Sequence, residues 1–288
     1  MCIRDRYRRH RVNGADGTPL AVDVTPGIDD GTVVFAHATG FCKEVWGPVQ
    51  ALMAGRRTMV RFDARAHGDS GDPGPPYDWW DLGRDVLAIT ADVGTPILGV
   101  GHSAGAAAMV LAELLEPGLF EHLILVEPII FPGPPIRVEG HPLREGALRR
   151  RPSFASLDEA RANFAGKAAF ARWTQDSLDA YVRGGLRRAG DLWELKCSPG
   201  SEADFYRGAV ATGAWDRLVD LTVGVTLVAG EHSDTHTPAF MESMAGQIPS
   251  AAVEIVSATT HFVPMEDPAA IARIVDEHES GRPNGPAI

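Results

Sequence analysis

The pentapeptide Gly101-His102-Ser103-Ala104-Gly105 holds the best-placed candidate nucleophile in the chain. A serine hydroxyl attacks poorly until a base takes its proton, an acid orients that base and N–H donors hold the developing oxyanion. The spacing fits G-x-S-x-G, a sharp strand-to-helix turn that needs small residues where the chain nearly folds onto itself. A glycine-rich turn with serine as N-cap would use the same residues without any catalysis, so the partners decide. Gly230-Glu231-His232-Ser233-Asp234 and Thr260-His261-Phe262 follow later strands, in the chain order such a serine requires. Asp234 is read as the acid and His261 as the base, with Glu127 as the second-choice acid. The oxyanion donors are read as the N–H groups of Thr39 and Ala104, with Ala38 the weaker alternative to Thr39.

Other polar residues carry plainer readings. His102 beside the nucleophile reads as a packed neighbour, and His37 and His67 as loop-stabilising histidines. Ala38, Phe41, Trp46 and His102 are candidates for lining a pocket, and Cys42 for a small buried filler. His232 and His236 lie on the acid's loop, too early in the chain for the base. With no third ligand in the pattern, no metal site is expected.

Strands alternating with helices must position these loops. Arg9 to Val24, with Asn13-Gly14 and Asp16-Gly17, reads as an edge hairpin. Apolar β-branched runs at Thr32–Ala36, Thr58–Phe62, Pro96–Val100, Leu123–Val126, Val225–Ala229 and Val253–Val256 read as buried strands. Helices are expected over Trp46–Ala54, Asp78–Ala91 (apolar at Trp79, Leu82, Val86 and Ile89), Ala106–Ala112 and Pro268–His278. The alternation predicts an α/β fold, a doubly wound and mostly parallel sheet with its ligand edge at the strand C-termini. The core is expected over 7–130 and 221–279. It is interrupted at 131–220 by a helical lid that opens Pro-rich at Pro132, Pro134 and Pro135. Residues 1–6 read as a non-native start without a signal-peptide h-region, and 280–288 as a flexible tail.

Bulk composition narrows the function classes. The 288 residues are 44% hydrophobic, enough for one large core carrying an insertion. Lys and Arg number 27 against 38 Asp and Glu, a net charge of −11, which argues against nucleic acid and anionic lipid as partners. Cys2, Cys42 and Cys197 share no framework spacing and suit a reducing, cytoplasmic setting. No apolar run approaches the ~18 residues of a membrane span. In the lid, Arg149-Arg150-Arg151 reads as a solvated helix face before an acid-attracting patch. The lid aromatics, among them Phe154, Phe164, Trp173, Tyr181 and Phe205, must pack it onto the body or line an apolar pocket.

These motifs together resemble the α/β-hydrolase fold superfamily, specifically lid-bearing serine hydrolases with G-H-S-x-G elbows. The likeness rests on His37–Phe41, Asp63–Ser70 (a D-x-R-x-H-G-x-S loop), Gly101–Gly105, Gly230–Asp234 and His261. It implies Ser103 as nucleophile, Asp234 as acid and His261 as base. Ala38 and Ala66 depart from it, standing where the family usually has glycine. The expected activity is cofactor-free cleavage of carboxylic esters of small to medium apolar substrates, by a monomer or homodimer. A C–C hydrolase, thioesterase, lactonase or perhydrolase could use the same residues. A non-catalytic ligand-binding protein is the reading from another class.

Overall fold

A computed structural model describes residues 7–29, 31–53, 55–133, 142–208 and 212–279. The expected start at 1–6, the tail at 280–288, and Pro134 and Pro135 lie outside the described residues. The chain runs β1 (Arg8–Asn13), β2 (Pro19–Thr25), β3 (Thr32–Ala36), α1 (Gly47–Leu52), β4 (Thr58–Phe62), α2 (Trp79–Ala91), β5 (Ile97–His102), α3 (Ala104–Leu115) and β6 (His122–Val126). An insertion follows with α4 (Pro142–Leu148), β7 (Ser153–Phe154), α5 (Leu157–Ala165), α6 (Gln175–Gly185), β8 (Leu186–Ala189), β9 (Leu192–Leu195) and α7 (Pro199–Gly208). The core resumes with β10 (Gly224–Gly230), α8 (Pro238–Ala245), β11 (Ala251–Val256), α9 (Val263–Glu266) and α10 (Pro268–Glu279).

Eight strands form one sheet in the order β1-β2-β4-β3-β5-β6-β10-β11. The hairpin β1–β2 is antiparallel and β2 also pairs antiparallel with β4, whereas the remaining six strands are mutually parallel. Successive residues of a strand point to opposite faces, and here the two faces feed two separate apolar layers. Val34 and Ala36 of β3 join α2, α3 and α8 on one side. Val33 and Phe35 join α1 and α10 on the other. Both layers are dry, which is why the central strands are apolar throughout instead of alternating. At the start of α2, the Asp78 side chain accepts from the Trp80 N–H as an N-cap.

The insertion differs from the expected helical lid. It contains a three-stranded antiparallel sheet, β7-β9-β8, beside its helices. The Arg-rich Leu186–Ala189 is a strand because Gly190, with φ +60°, opens a two-residue hairpin turn into β9. Trp46–Ala54 is likewise split, into a 3₁₀ turn over Lys43–Trp46 and the shorter α1.

The insertion is fastened to the core at named points. Trp79 and Trp80 of α2 donate their indole N–H groups to the carbonyls of Phe205 and Thr212. The Thr174 N–H donates to the Met265 carbonyl at 3.0 Å.

Close approaches join β3 and β5 to α3. A Cβ on Gly105 would lie 2.2 Å from the Ala36 carbonyl oxygen, and one on Gly101 2.5 Å from the Ala106 Cα. Neither neighbour is a flexible side chain, so the backbone itself would have to move. Gly105→Ala should therefore destabilise the fold by about 1–3 kcal/mol through overpacking, read as a lower urea midpoint at unchanged slope. An unchanged midpoint would contradict the close approach.

Candidate active site

Ser103 sits between β5 and α3 with φ +57° and ψ −114°, a left-handed conformation that costs a non-glycine residue of order 1–3 kcal/mol. The surroundings fix it there. Its N–H donates to the Val126 carbonyl at 2.8 Å, and its own carbonyl accepts from the Ala107 N–H at 3.1 Å and the Ile129 N–H at 3.3 Å. The side chain makes no cap bond to the helix it precedes, so the hydroxyl is not consumed as an N-cap. That removes the structural alternative left open by the pentapeptide.

His102 does more than pack. It is 1% exposed, and its Nε2–H donates to the His261 carbonyl at 2.8 Å. Burial lowers its pKa to about 3, helped by the neighbouring His261. The neutral ring thereby ties the elbow to the loop that carries the expected base. The ring is also packed between Phe41 and His261, as a buried neighbour of the elbow.

The structure corrects the acid. His261 Nδ1–H donates to Glu127 Oε2 at 2.5 Å, whereas Asp234 is exposed to solvent. Glu127 ends β6 with φ +46°, a strained turn that swings its carboxyl behind His261. The carboxylate is fully buried, and its other acceptances are built in. Oε1 accepts from the Gly230 N–H at 3.0 Å, and Oε2 accepts from the Ser233 hydroxyl at 2.8 Å. Burial alone would raise its pKa; the adjoining His236 and His261 and the Gly230 N–H outweigh that and hold it below the usual carboxylate range. The loop chosen for its acid thus supplies hydroxyl and N–H donors instead. Asp234, one residue beyond Ser233, points outward.

His236, which its place in the chain set aside as a base, is completely buried. Its Nε2–H donates to the Pro128 carbonyl at 2.9 Å, while Nδ1 lies 3.0 Å from Thr235 Oγ1 and 3.3 Å from Glu127 Oε2. The available signal was the clustering of Ser233, Thr235 and His236 in one short loop, all able to face a single buried carboxylate.

Thr39 and Ala104 line one narrow cavity together with Ala38, His37, His67 and Phe205. Ala104 opens α3, so its N–H belongs to the first-turn donors that have no intrahelical acceptor. The Thr39 loop is held by the two histidines, read correctly as stabilisers. The Gly40 N–H donates to His67 Nε2 at 2.9 Å, and the Ala64 N–H to His37 Nε2 at 3.1 Å. Each ring donates its Nδ1–H to a backbone carbonyl, of Arg65 and Ala38 respectively. Both must be neutral to accept, and burial lowers His37 to about 4 and His67 to about 3.

Ala66, where the family usually has glycine, takes φ +59° all the same. It carries a left-handed strain of about 1–2 kcal/mol.

Of the remaining candidates, Phe41 stacks among Trp173, Tyr181 and Phe262, at the seam between core and insertion. Trp46 is fully buried and packs on Phe35 at 5.2 Å. Cys42 is fully buried, with its thiol pushed up by burial. The arginine run is not a solvated helix face, because α4 ends at Leu148. Arg150 pairs with Glu202 of α7 and donates to the Tyr181 hydroxyl at 2.5 Å, and that hydroxyl in turn donates to the Gly40 carbonyl at 3.4 Å.

Two predictions follow from this geometry. Glu127→Gln should cut kcat/KM by roughly 10³–10⁴-fold, the scale of losing a triad acid. Asp234→Asn, at an exposed position, should stay within about twofold. The reverse ranking in steady-state assays would restore Asp234. Separately, His37, His67 and His102 stay neutral in the fold, whereas unfolded histidines protonate near ~6.5. The unfolded chain therefore binds more protons below that pH, and stability must fall as pH falls. The urea midpoint should be lower at pH 5 than at pH 7.5; equal midpoints would contradict neutral burial.

Residues 33–274 match the sequence profile of the Alpha/beta hydrolase family. The chain is 36% identical over 118 residues to the peroxisomal membrane protein LPX1 of Saccharomyces cerevisiae; that segment covers 34% of this chain and 30% of the yeast protein. It is 26% identical over 234 residues to 2-(acetamidomethylene)succinate hydrolase of Mesorhizobium japonicum, covering 80% of this chain and 81% of that protein. The solved structure of the Saccharomyces cerevisiae peroxisomal alpha-beta-hydrolase Lpx1 superposes with TM-score 0.82 at 18% identity, covering 96% of this chain and 89% of that one. With its parallel sheet, its elbow and a profile match across both halves of the core, this chain belongs to the alpha/beta hydrolase family.

Proposed function

We propose that the protein is a serine hydrolase that cleaves carboxylic esters of small to medium, mainly apolar substrates through an acyl-enzyme. The observation that carries this reading is the His261 Nδ1–Glu127 Oε2 bond at 2.5 Å, on a loop that His102, the neighbour of the strained Ser103, holds through the His261 carbonyl at 2.8 Å. With its Nδ1 proton committed to Glu127, His261 presents an unprotonated Nε2 that takes the Ser103 proton as Oγ attacks the ester carbonyl. The Ala104 and Thr39 N–H groups hold the oxyanion, each worth about 2.7–4 kcal/mol at the transition state. The imidazolium then protonates the leaving alcohol. Water enters, gives its proton to His261 and releases the acid and the free serine.

The insertion serves as a cap over the C-terminal edge of the sheet. Phe41 and Phe262 of the core meet Trp173 of the insertion in edge and tilted contacts, while Phe205 stands edge-on to His67 at 4.8 Å. This aromatic seam supports an apolar acyl site. Cys42 and Cys197 are free and buried, in keeping with a reducing compartment.

Ser103→Ala should abolish both turnover of p-nitrophenyl esters and labelling by a fluorophosphonate. A panel of increasing acyl length should show a preference for short to medium chains. The rate should fall on acidification, because a protonated imidazole cannot take the Ser103 proton. Labelling that survives Ser103→Ala would place the nucleophile elsewhere, and a rate unchanged by acidification would remove His261 as base.

A further inference from the structure

The carboxylate behind His261 faces a second imidazole, and that arrangement has a chemistry of its own. Glu127, His236 and His261 each offer one ligand atom, all within 4.8 Å of one another. We propose that these three residues form a binding site for a borderline-soft divalent cation of the zinc type, and that filling it switches off the base.

His236 is already prepared as a ligand. Its Nε2–H is fixed on the Pro128 carbonyl at 2.9 Å, so Nδ1, 3.3 Å from Glu127 Oε2, is the nitrogen left to ligate, and a proton there leaves to solvent as the cation binds. A backbone carbonyl on the far nitrogen is the usual outer-shell support of a metal-binding histidine. Glu127 is oriented as well: the Gly230 N–H holds Oε1, and Oε2 faces the two rings while also accepting from the Ser233 hydroxyl at 2.8 Å. The present Oε2 distances, 2.5 Å to His261 Nδ1 and 3.3 Å to His236 Nδ1, approach the edge of a tetrahedral zinc site, roughly 3.3 Å for bonds near 2.0 Å. Glu127 and His236 have fully buried side chains, whereas that of His261 is 21% exposed and marks the way in. The Thr235 hydroxyl, 3.0 Å from His236 Nδ1, gives up that contact when the cation arrives.

The exchange balances without any redox step. The cation sheds waters and bonds to Glu127 Oε2, His236 Nδ1 and His261 Nδ1. The proton on His261 Nδ1 moves to Nε2, so the ring stays neutral but changes tautomer. Nε2 then carries a hydrogen and cannot accept the Ser103 proton. A carboxylate and two imidazoles favour zinc over magnesium, a hard cation that keeps its waters.

Binding of the cation stands on these side chains alone, whereas inhibition by it rests on the hydrolase reading. The test begins with calorimetry of Zn²⁺ against Ser103→Ala protein, which needs no activity. One equivalent should bind at micromolar concentration, and Mg²⁺ should not. With Co²⁺ in place of Zn²⁺, the visible spectrum should show a tetrahedral band. In the unmodified protein Zn²⁺ should block fluorophosphonate labelling, and EDTA should restore it. His236→Gln should weaken Zn²⁺ binding at least tenfold; if that variant fails to fold, Glu127→Gln in the Ser103→Ala background makes the same test. No binding to Ser103→Ala protein, or equal binding by the ligand variants, would overturn the site. Binding with unhindered labelling would overturn the switch and leave the hydrolase reading intact.

Discussion

A carboxylate taken fully out of water governs the arrangement of this active site. Glu127 at the end of β6 has no exposure, and leaving such a group unsatisfied would cost several kcal/mol. The loops after β10 and β11 answer that demand. Gly230 offers its N–H, Ser233 its hydroxyl and His261 its Nδ1–H, each from a different point around the carboxyl group. Their geometry follows from one buried charge, and His261 is oriented as a consequence.

The other half of the site is organised by neutral imidazoles instead of a charge. His37 and His67 accept backbone N–H groups at Nε2 and donate from Nδ1, so each staples two segments of the chain at once. His102 ties the elbow to the loop of His261 by donating its Nε2–H to the His261 carbonyl. These three rings share one requirement, a depressed pKa enforced by burial. Beneath the oxyanion loop, Lys43 is held by Asp63 at 2.6 Å and Asp69 at 3.0 Å, with Asp63 also accepting the Lys43 N–H. A buried ion pair of this kind adds little net stability, but removing one partner is costly. It fixes the path of the chain between Gly40 and the first helix.

The insertion reaches the same loop from outside. Arg150, Glu202 and Tyr181 come from three of its segments and meet at Gly40, where a Cβ would lie 2.7 Å from Glu202 Oε1. The glycine beside Thr39 suits its φ of +80° and leaves room for the Glu202 carboxylate. Through that contact, the insertion also bears on the loop that carries Thr39.

The sequence by itself determined the sheet, the elbow and the place of His261 after the last strand. Six apolar strand runs, G-x-S-x-G, and a histidine after the last strand are local patterns, and local sterics and hydrophobic periodicity suffice to read them. What it left undecided was which of two carboxylates meets His261. Asp234 and Glu127 both follow strands, and distance along the chain says nothing about which one is aimed inward. The turn at Glu127, with φ +46°, and the replacement of a possible acid by the Ser233 hydroxyl settle that only in three dimensions. The same holds for His236, His102 and Arg150, whose roles depend on partners over a hundred residues away or on another segment of the insertion. Burial made those polar partners necessary, and burial is a property of the folded chain.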